Sequence, residues 1–332
     1  MNRKALALLS GGLDSILATK LIIEQGIEVE AINFLTTFCT CTRKGCNHAA
    51  TEAARTLKIP LKIMNITEEY LNIVKNPKHG YGSSMNPCID CRVFTFTKAK
   101  HYMREIGASF IVTGEVLGER PMSQRRDAIL LIEKEAGLKG LILRPLSARL
   151  FEPTIPEKEG IVDREKLLAI SGRSRKPQIA LAKGFEINDY PCPAGGCLLT
   201  DAIFGKRIKD LIDKDSLNLD DVKLLKFGRH FRLSDSAKLI VGRDEKENEL
   251  LESLVKDGDV CLKLKDHQGP FSILRGKRDD GMIEQAARIV AHHTKFRQEG
   301  ALRVDYWIVP SSNHASLNIT PAEAEAIEHV RI

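Results

Sequence analysis

The stretch Ala5-Leu6-Ala7-Leu8-Leu9-Ser10-Gly11-Gly12-Leu13-Asp14-Ser15 decides how this chain is read. Its five leading apolar residues show no polar alternation, which suits a strand buried on both faces. Two glycines punctuate the run. Helical spacing follows over residues 14–25 and stops at Gly26. Glycine takes positive φ without steric cost, and the free N–H groups of a helix start favour an anion. Ser10 and Ser15 add hydroxyl donors, so the loop suits phosphate. Asp14 would repel that phosphate unless a cation stood between them, which implies Mg²⁺. A plain turn capped by Ser and Asp accounts for Gly-Gly taken alone. The loop is neither a Walker P-loop, since no Gly-Lys-Ser/Thr follows, nor a G-x-G-x-x-G fingerprint.

Outward from this loop the pattern repeats. Apolar runs at 29–34, 61–66, 110–113 and 141–143 read as strands, and helical spacing at 49–57, 92–106 and 128–135 separates them. Alternating strands and helices predict an α/β, doubly wound, Rossmann-like domain with a parallel sheet and helices on both faces. Ligands in such domains bind beyond the carboxyl ends of the strands. The chain has 332 residues and a mass of 37.0 kDa, enough for two domains. The first is expected over 1–150. Five prolines then punctuate a basic segment, 151–204, with one helix over 164–170, which reads as a connector. A mixed α+β domain is expected over 205–332, with strands near 238–241, 260–264, 271–275 and 304–309 and helices at 246–255 and 281–296.

The composition excludes disorder, collagen and coiled coil for the whole chain: 43% of residues are hydrophobic and 28% charged. The net charge of +6 has an address. Residues 205–332 carry 22 basic and 22 acidic side chains, so the excess lies entirely in 1–204, and 139–183 alone holds ten basic residues against five acidic. A local basic stretch suits a polyanion partner or a solvated surface. The apolar run after Met1-Asn2-Arg3-Lys4 is too short for a signal sequence, and no run of about 18 apolar residues exists. A cytoplasmic protein with no membrane partner is expected. Eight cysteines in a reducing compartment suit metal ligands, redox groups or buried thiols better than disulfides.

Ser10-Gly11-Gly12-Leu13-Asp14-Ser15, directly after strand one, resembles the pyrophosphate-binding loop of the N-type ATP pyrophosphatase (PP-loop) family. That resemblance implies an adenine nucleotide alpha hydrolase type of fold, cleavage of ATP between its α- and β-phosphates, and an adenylated intermediate. It implies that Ser10, Gly11, Gly12, Asp14 and Ser15 bind the pyrophosphate moiety. Val112-Thr113-Gly114 resembles the family's Thr-Gly segment, which makes Thr113 and Gly114 candidates for holding the nucleotide. The end of strand two, Asn33 or Phe34, is a candidate for the adenine face.

Cys88-Ile89-Asp90-Cys91 follows Asn86-Pro87 and precedes a helix, whose dipole is expected to lower the thiol pKa. Such a pair suits a thiolate nucleophile or a soft metal. Cys192-Pro193-Ala194-Gly195-Gly196-Cys197 forms a second pair. Together with the loop, these pairs resemble the tRNA thiolases of the PP-loop family, the tRNA 2-thiouridylases and tRNA 4-thiouridine synthases, over roughly residues 1–205. The resemblance implies an ATP-dependent tRNA sulfurtransferase with Asp14, Cys88, Cys91 and Cys197 as catalytic residues. ATP would transfer AMP to a uridine carbonyl oxygen, and sulfur would displace it. Two delivery schemes fit: a cysteine persulfide, or a 4Fe-4S cluster on Cys88, Cys91 and a third cysteine with one iron left open. We favour the cluster, with Cys197 as third ligand and Cys192 as the alternative. Sulfide or a cysteine desulfurase would supply sulfur.

Cys39, Cys41, Cys46 and His48 match no strong zinc spacing and are read as loop thiols, with a zinc site as the alternative. Cys261, in an alternating apolar run, is read as a core thiol. Arg144, Arg173, Arg175 and Lys176 lie between the two cysteine pairs and are candidates for the RNA backbone or the ATP phosphates. Residues 225–310, with Phe227-Gly228-Arg229-His230-Phe231-Arg232-Leu233, resemble the RNA-binding domain of the NFACT proteins, where aromatics interleaved with arginine suit base stacking. tRNA is the expected partner, and a homodimer is compatible with the chain. Two rivals stand: a PP-loop ligase or amidotransferase acting on a small molecule, and a non-enzymatic tRNA-binding protein with a relic loop.

Overall fold

The computed structural model describes residues 2–39, 48–188, 190, 196–311 and 313–332. Cys41, Cys46 and Cys192 lie outside the described residues, and so do the expectations attached to them. The chain divides into two units, Met1–Thr200 and Asp201–Ile332.

The first unit is built on strands β1 (Lys4–Leu8), β2 (Glu28–Leu35), β3 (Leu61–Asn65), β4 (Phe110–Thr113) and β5 (Ile142–Leu143). They form one parallel sheet in the order β3-β2-β1-β4-β5. Helices α1 (Leu13–Ile23), α2 (His48–Leu57), α3 (Thr67–Lys75), α4 (Cys88–Glu105), α5 (Arg126–Glu135), α6 (Ile155–Lys158) and α7 (Lys176–Gly184) flank it. The period of two assigns the faces of β1. Ala5 and Ala7 pack in one core with Leu13, Leu17 and Ala182, and Leu6 packs in another with Phe96, Met103 and Ile132. Both faces are covered, which is why the strand reads as a continuous apolar run. Strand order reverses between β1 and β4, where Leu8 pairs with Thr113. The crevice beyond that reversal is the ligand position of doubly wound sheets.

Residues 151–188, expected as a connector, pack into the first unit: Ile161, Val162, Leu167, Ala182 and Ile187 belong to the same core as β1. The helix expected over 164–170 is a single 3-10 turn, Arg164–Lys166. Its continuation fails because the N–H groups of Leu168 and Ile170 donate to the carbonyls of Pro145 and Leu146 instead of to their own chain. Helix α3 was not legible in the sequence, and α4 starts at Cys88 rather than at residue 92.

The second unit holds α8 (Ala202–Asp213), α9 (Leu219–Leu224), β6 (Arg229–Ser234), β7 (Ala237–Val241), α10 (Glu245–Glu252), β8 (Val260–Leu264), β9 (Ser272–Gly276), α11 (Asp280–His292), β10 (Leu302–Ile308), β11 (Ala315–Ile319) and α12 (Ala324–Val330). Its strands make an antiparallel sheet in the order β11-β10-β8-β9-β7-β6. Helix α11 covers one face with Ile283, Ala287 and Val290, and Leu251 of α10 packs on the other with Cys261 and Ile273. Cys261 is a core thiol, as read, and burial pushes it up to about 12. Four helices here open on an aspartate or asparagine whose side chain accepts a backbone N–H two or three residues into the helix, as Asp244 does from Glu247 and Asp279 from Met282. Among the described residues no helix is long and apolar enough to cross a membrane.

Candidate active site

The loop after β1 stands at the strand-order reversal. Gly11 has a φ of +79°, and a Cβ there would sit 2.4 Å from the backbone of Ala49 at the start of α2. Only glycine fits both demands. Gly12 caps α1 with extended backbone. The Ser15 hydroxyl donates to the Gly12 carbonyl at 2.8 Å, the Ser10 hydroxyl lies 3.2 Å from that of Ser15, and the Gly12 N–H reaches Ser10 Oγ at 3.3 Å. The two serines therefore shape the loop as well as offering donors. On the neighbouring strand, a Cβ on Gly114 would lie 2.5 Å from the Asp14 carbonyl carbon and the Ser15 nitrogen. Gly114 is thus the contact that lets the end of β4 press against the start of α1. Thr113 is buried beside it.

The buried side chain of Asn33 donates to the Leu9 carbonyl at 2.8 Å and anchors the root of the loop. Phe34 points to the opposite sheet face and packs in the core with Phe96 and Ile111. Asn33 thus braces the loop through Nδ2, and its Oδ1 is buried without a hydrogen-bond partner among the described residues.

Asp14 is where the electrostatics concentrate. Burial pushes its carboxyl up, opposed by Arg175, Gln178 and Arg120. Glu119 is also pushed up by burial and by Asp14. Asp14 Oδ1 is buried without a hydrogen-bond partner among the described residues. An orphaned carboxylate oxygen at a helix start suits a hard cation, so the Mg²⁺ expectation fits the residues present.

The thiols come from three parts of the chain. Cys88 and Cys91 open α4, and the Cys91 N–H donates to the Pro87 carbonyl at 2.8 Å. The Asn86 side-chain amide donates to Cys88 Sγ at 3.1 Å. The preceding loop is clamped by Asp90, which accepts from the N–H groups of Lys78 and His79 at 3.1 and 3.0 Å and meets His79 Nδ1 at 3.0 Å. Cys197 arrives by backbone pairing: it bridges Cys39 in an antiparallel pair, and the Leu198 N–H donates to the Phe38 carbonyl at 2.8 Å. Cys88, Cys91, Cys197 and Cys39 are near enough to perturb one another, and Tyr70, hydrogen-bonded to Cys91, sits among the first three. Phe38 meets the Tyr70 ring edge-on at 5.8 Å.

At Cys91, helix-dipole lowering of the thiol pKa is not what the structure shows. Burial pushes Cys91 up, against Tyr70 and Arg92, and pushes Cys197 up to about 12. Desolvation of a thiolate outweighs one helix terminus here. The three thiols therefore share one buried neighbourhood. However, among the described residues no three His, Cys, Asp or Glu side chains stand in a metal-holding arrangement. His48 and Cys39 form no zinc set there either.

Of the basic residues, Arg144 is corrected. It is 4% exposed and locked between Glu115, at 3.0 Å, and Glu133, so it faces no RNA. A buried guanidinium with two carboxylates is a structural group. Arg173 and Lys176 are exposed, and Arg175 is half-buried facing Asp14. In the second unit, Phe231 is fully buried and stacks on His293, and Arg232 is tied to Asp210 at 3.0 Å, so neither is free to stack a base. Trp307, stacked on His314 at 4.4 Å with Lys263 over its face, is a partly exposed aromatic with no place in the expectations. Tyr70 and Glu119 were missed too, and Gln178 ends the Gly172–Gln178 stretch, of which only the basic residues were taken as candidates.

Residues 1–156 match the family model described as "Thiamine biosynthesis protein (ThiI)", and residues 228–331 match "NFACT protein RNA binding domain". The chain is 31% identical over 121 residues to the tRNA-specific 2-thiouridylase MnmA of Syntrophotalea carbinolica, covering 34% of each. It is 33% identical over 151 residues to a "Probable tRNA sulfurtransferase" of Ureaplasma urealyticum, covering 44% of this chain and 37% of that one. It thus spans little more than a third of the length of these curated relatives. Among solved structures, a 4-thiouridine synthetase–RNA complex with bound ATP is 22% identical, covers 67% of this chain and 52% of that chain, and has a TM-score of 0.37. The U34-tRNA thiolase NcsA from Methanococcus maripaludis with its 4Fe-4S cluster is 20% identical, covers 67% and 71%, and has a TM-score of 0.33.

Proposed function

We propose that this chain, which joins a ThiI-type PP-loop domain to an NFACT-type RNA-binding domain, is an ATP-dependent tRNA sulfurtransferase that converts a uridine to a thiouridine. The observation that carries this reading is the convergence of Cys88, Cys91 and Cys197 in the same unit as the Ser10–Ser15 loop. A ligase acting on a small molecule needs the loop but not the thiols.

The residues divide the work. Ser10, Gly11, Gly12 and Ser15 present donors to the departing pyrophosphate, and Thr113 and Gly114 hold the nucleotide against them. Asp14 would hold Mg²⁺, which would neutralise phosphate charge. AMP passes from ATP to the uridine carbonyl oxygen, and pyrophosphate leaves. A sulfur nucleophile then attacks that carbon; the carbon–oxygen bond breaks, and AMP departs with the former carbonyl oxygen. Cys88, Cys91 and Cys197 handle the sulfur. These three would hold a 4Fe-4S cluster, whose open iron would take sulfide; in the alternative, the terminal sulfur of a persulfide on one of them bonds to the carbon, a second of the thiols cleaves the sulfur–sulfur bond, and the resulting cysteine disulfide is reopened by a thiol reductant. The buried setting of Cys91 and Cys197 keeps them neutral until sulfur or metal is loaded. The second unit contributes tRNA binding. Its 22 basic and 22 acidic residues over 205–332 give no net attraction, so shape and stacking carry that contact. Such an enzyme works in the cytoplasm, where tRNA and reduced thiols are found.

The test is mass spectrometry of tRNA nucleosides from a strain lacking the chain. One thiouridine should vanish and return with the wild-type gene but not with Asp14→Ala or Cys88→Ala. An unchanged set of thionucleosides would reject the reading.

A further inference from the structure

The first turn of α7 stands over the loop. Arg175 caps this helix, Pro177 lies in its first turn, and the helix packs along α1. Gln178 is 0% exposed and its amide favours the ionised Asp14 carboxyl beside it, yet neither Nε2 nor Oε1 has a partner within 3.5 Å among the described residues. Leaving a buried amide unpartnered costs about 1–3 kcal/mol. Two such atoms beside an equally orphaned Asp14 oxygen mark a position shaped for something the polypeptide does not supply. The surrounding charges say what. Arg175 and Arg120 both act on Asp14 and on Glu119, yet among the described residues neither guanidinium makes an ion pair or a hydrogen bond. Guanidinium groups and an amide donor around a helix start suit phosphate oxygens, with the two carboxylates offset by the accompanying cation.

We propose that Gln178 and Arg175 bind the polyphosphate of ATP where it lies against the Ser10–Ser15 loop, Gln178 Nε2 and the Arg175 guanidinium each donating to a phosphate oxygen. Arg175 is thereby a nucleotide ligand and not an RNA contact. The assignment rests on the reading that the loop binds ATP, and it closes the first unit around that site with a segment far along the chain from the loop.

The test uses the full chain and calorimetric titration with MgATP and with magnesium pyrophosphate, alongside filter binding of tRNA without nucleotide. Gln178→Leu should weaken both nucleotide and pyrophosphate binding at least tenfold. It should also hold or raise the thermal midpoint of the ligand-free protein, because it removes two unpartnered buried polar atoms. Gln178→Asn should recover part of the affinity. Arg175→Met, at a half-exposed position that does not risk the fold, should weaken both ligands tenfold or more and leave tRNA binding unchanged. Wild-type affinity for MgATP in both Gln178→Leu and Arg175→Met overturns the proposal, as does an Arg175→Met that loses tRNA but keeps ATP. A wild-type chain that binds no MgATP overturns the ATP reading itself, and this proposal falls with it.

Discussion

Glu115 Oε1 lies 3.3 Å from Arg92 Nε, and the other oxygen of the same carboxylate lies 3.0 Å from Arg144 Nε. Glu115 follows Gly114, the residue pressed against the loop, and Arg92 follows Cys91. One buried carboxylate therefore ties the nucleotide strand to the thiol helix. Removing one member of a buried pair leaves an uncompensated charge and typically costs about 3–5 kcal/mol. Glu115→Ala should lower the unfolding free energy by about that amount in urea titrations. A loss under about 1 kcal/mol would show that the tie is dispensable.

Gly114 and Gly11 make a sharper prediction about the loop. A methyl at Gly114 would meet the backbone of Asp14 and Ser15, and one at Gly11 would meet Ala49. Gly114→Ala and Gly11→Ala should each cost about 1–3 kcal/mol through overpacking and weaken MgATP binding by a similar free energy. Gly184→Ala, which meets nothing within 4 Å, is the control and should leave both unchanged. Calorimetric titration reads the difference; equal affinities in all three variants would contradict the packed geometry.

The thiols separate into two roles. Cys197→Ser should abolish thiouridine formation while AMP and pyrophosphate release on tRNA persists, because the change touches sulfur delivery and not the loop. Cys261→Ser places a hydroxyl in an apolar core, so it should lower thermal stability and leave thiolation per folded molecule intact. Thiolation surviving in Cys197→Ser would remove this cysteine from the chemistry.

The second unit should be acid-sensitive. Burial holds His230 well below its ordinary value, and His293 falls to about 4 by burial and the nearby Arg229. Between the unfolded value of about 6.5 and about 4, the unfolded chain binds more protons, so stability present above pH 6.5 is lost as pH falls through that window. His293→Phe keeps a ring against Phe231 and cannot protonate. Its thermal midpoint should fall less steeply from pH 6.5 to 4 than that of the wild type. Parallel slopes would show that His293 does not drive the loss.

The sheet was legible because its central strands β1 and β4 bury both faces and so write continuous apolar runs, as in Ala5-Leu6-Ala7-Leu8-Leu9. The loop was legible because phosphate chemistry needs glycine and hydroxyl side chains at contiguous positions. What could not be read was long-range. Nothing near Cys197 says that the chain pairs there with Cys39, or that Gln178 faces Asp14. Arg144 misled for a related reason: its charge is visible in sequence, but the carboxylates that bury it, Glu115 and Glu133, come from other elements. The dipole argument for Cys91 failed because burial, a tertiary property, was the larger effect.

The most direct measurement is stoichiometry in a purified, anaerobic reaction with the full chain, tRNA, MgATP and sulfide. The account predicts one AMP, one pyrophosphate and one thiouridine per turnover, all lost in Asp14→Ala, with AMP retained and thiouridine lost in a Cys88/Cys91/Cys197 triple alanine variant. AMP and pyrophosphate formed without thiouridine by the wild type, at a rate unaffected by the triple variant, would contradict it.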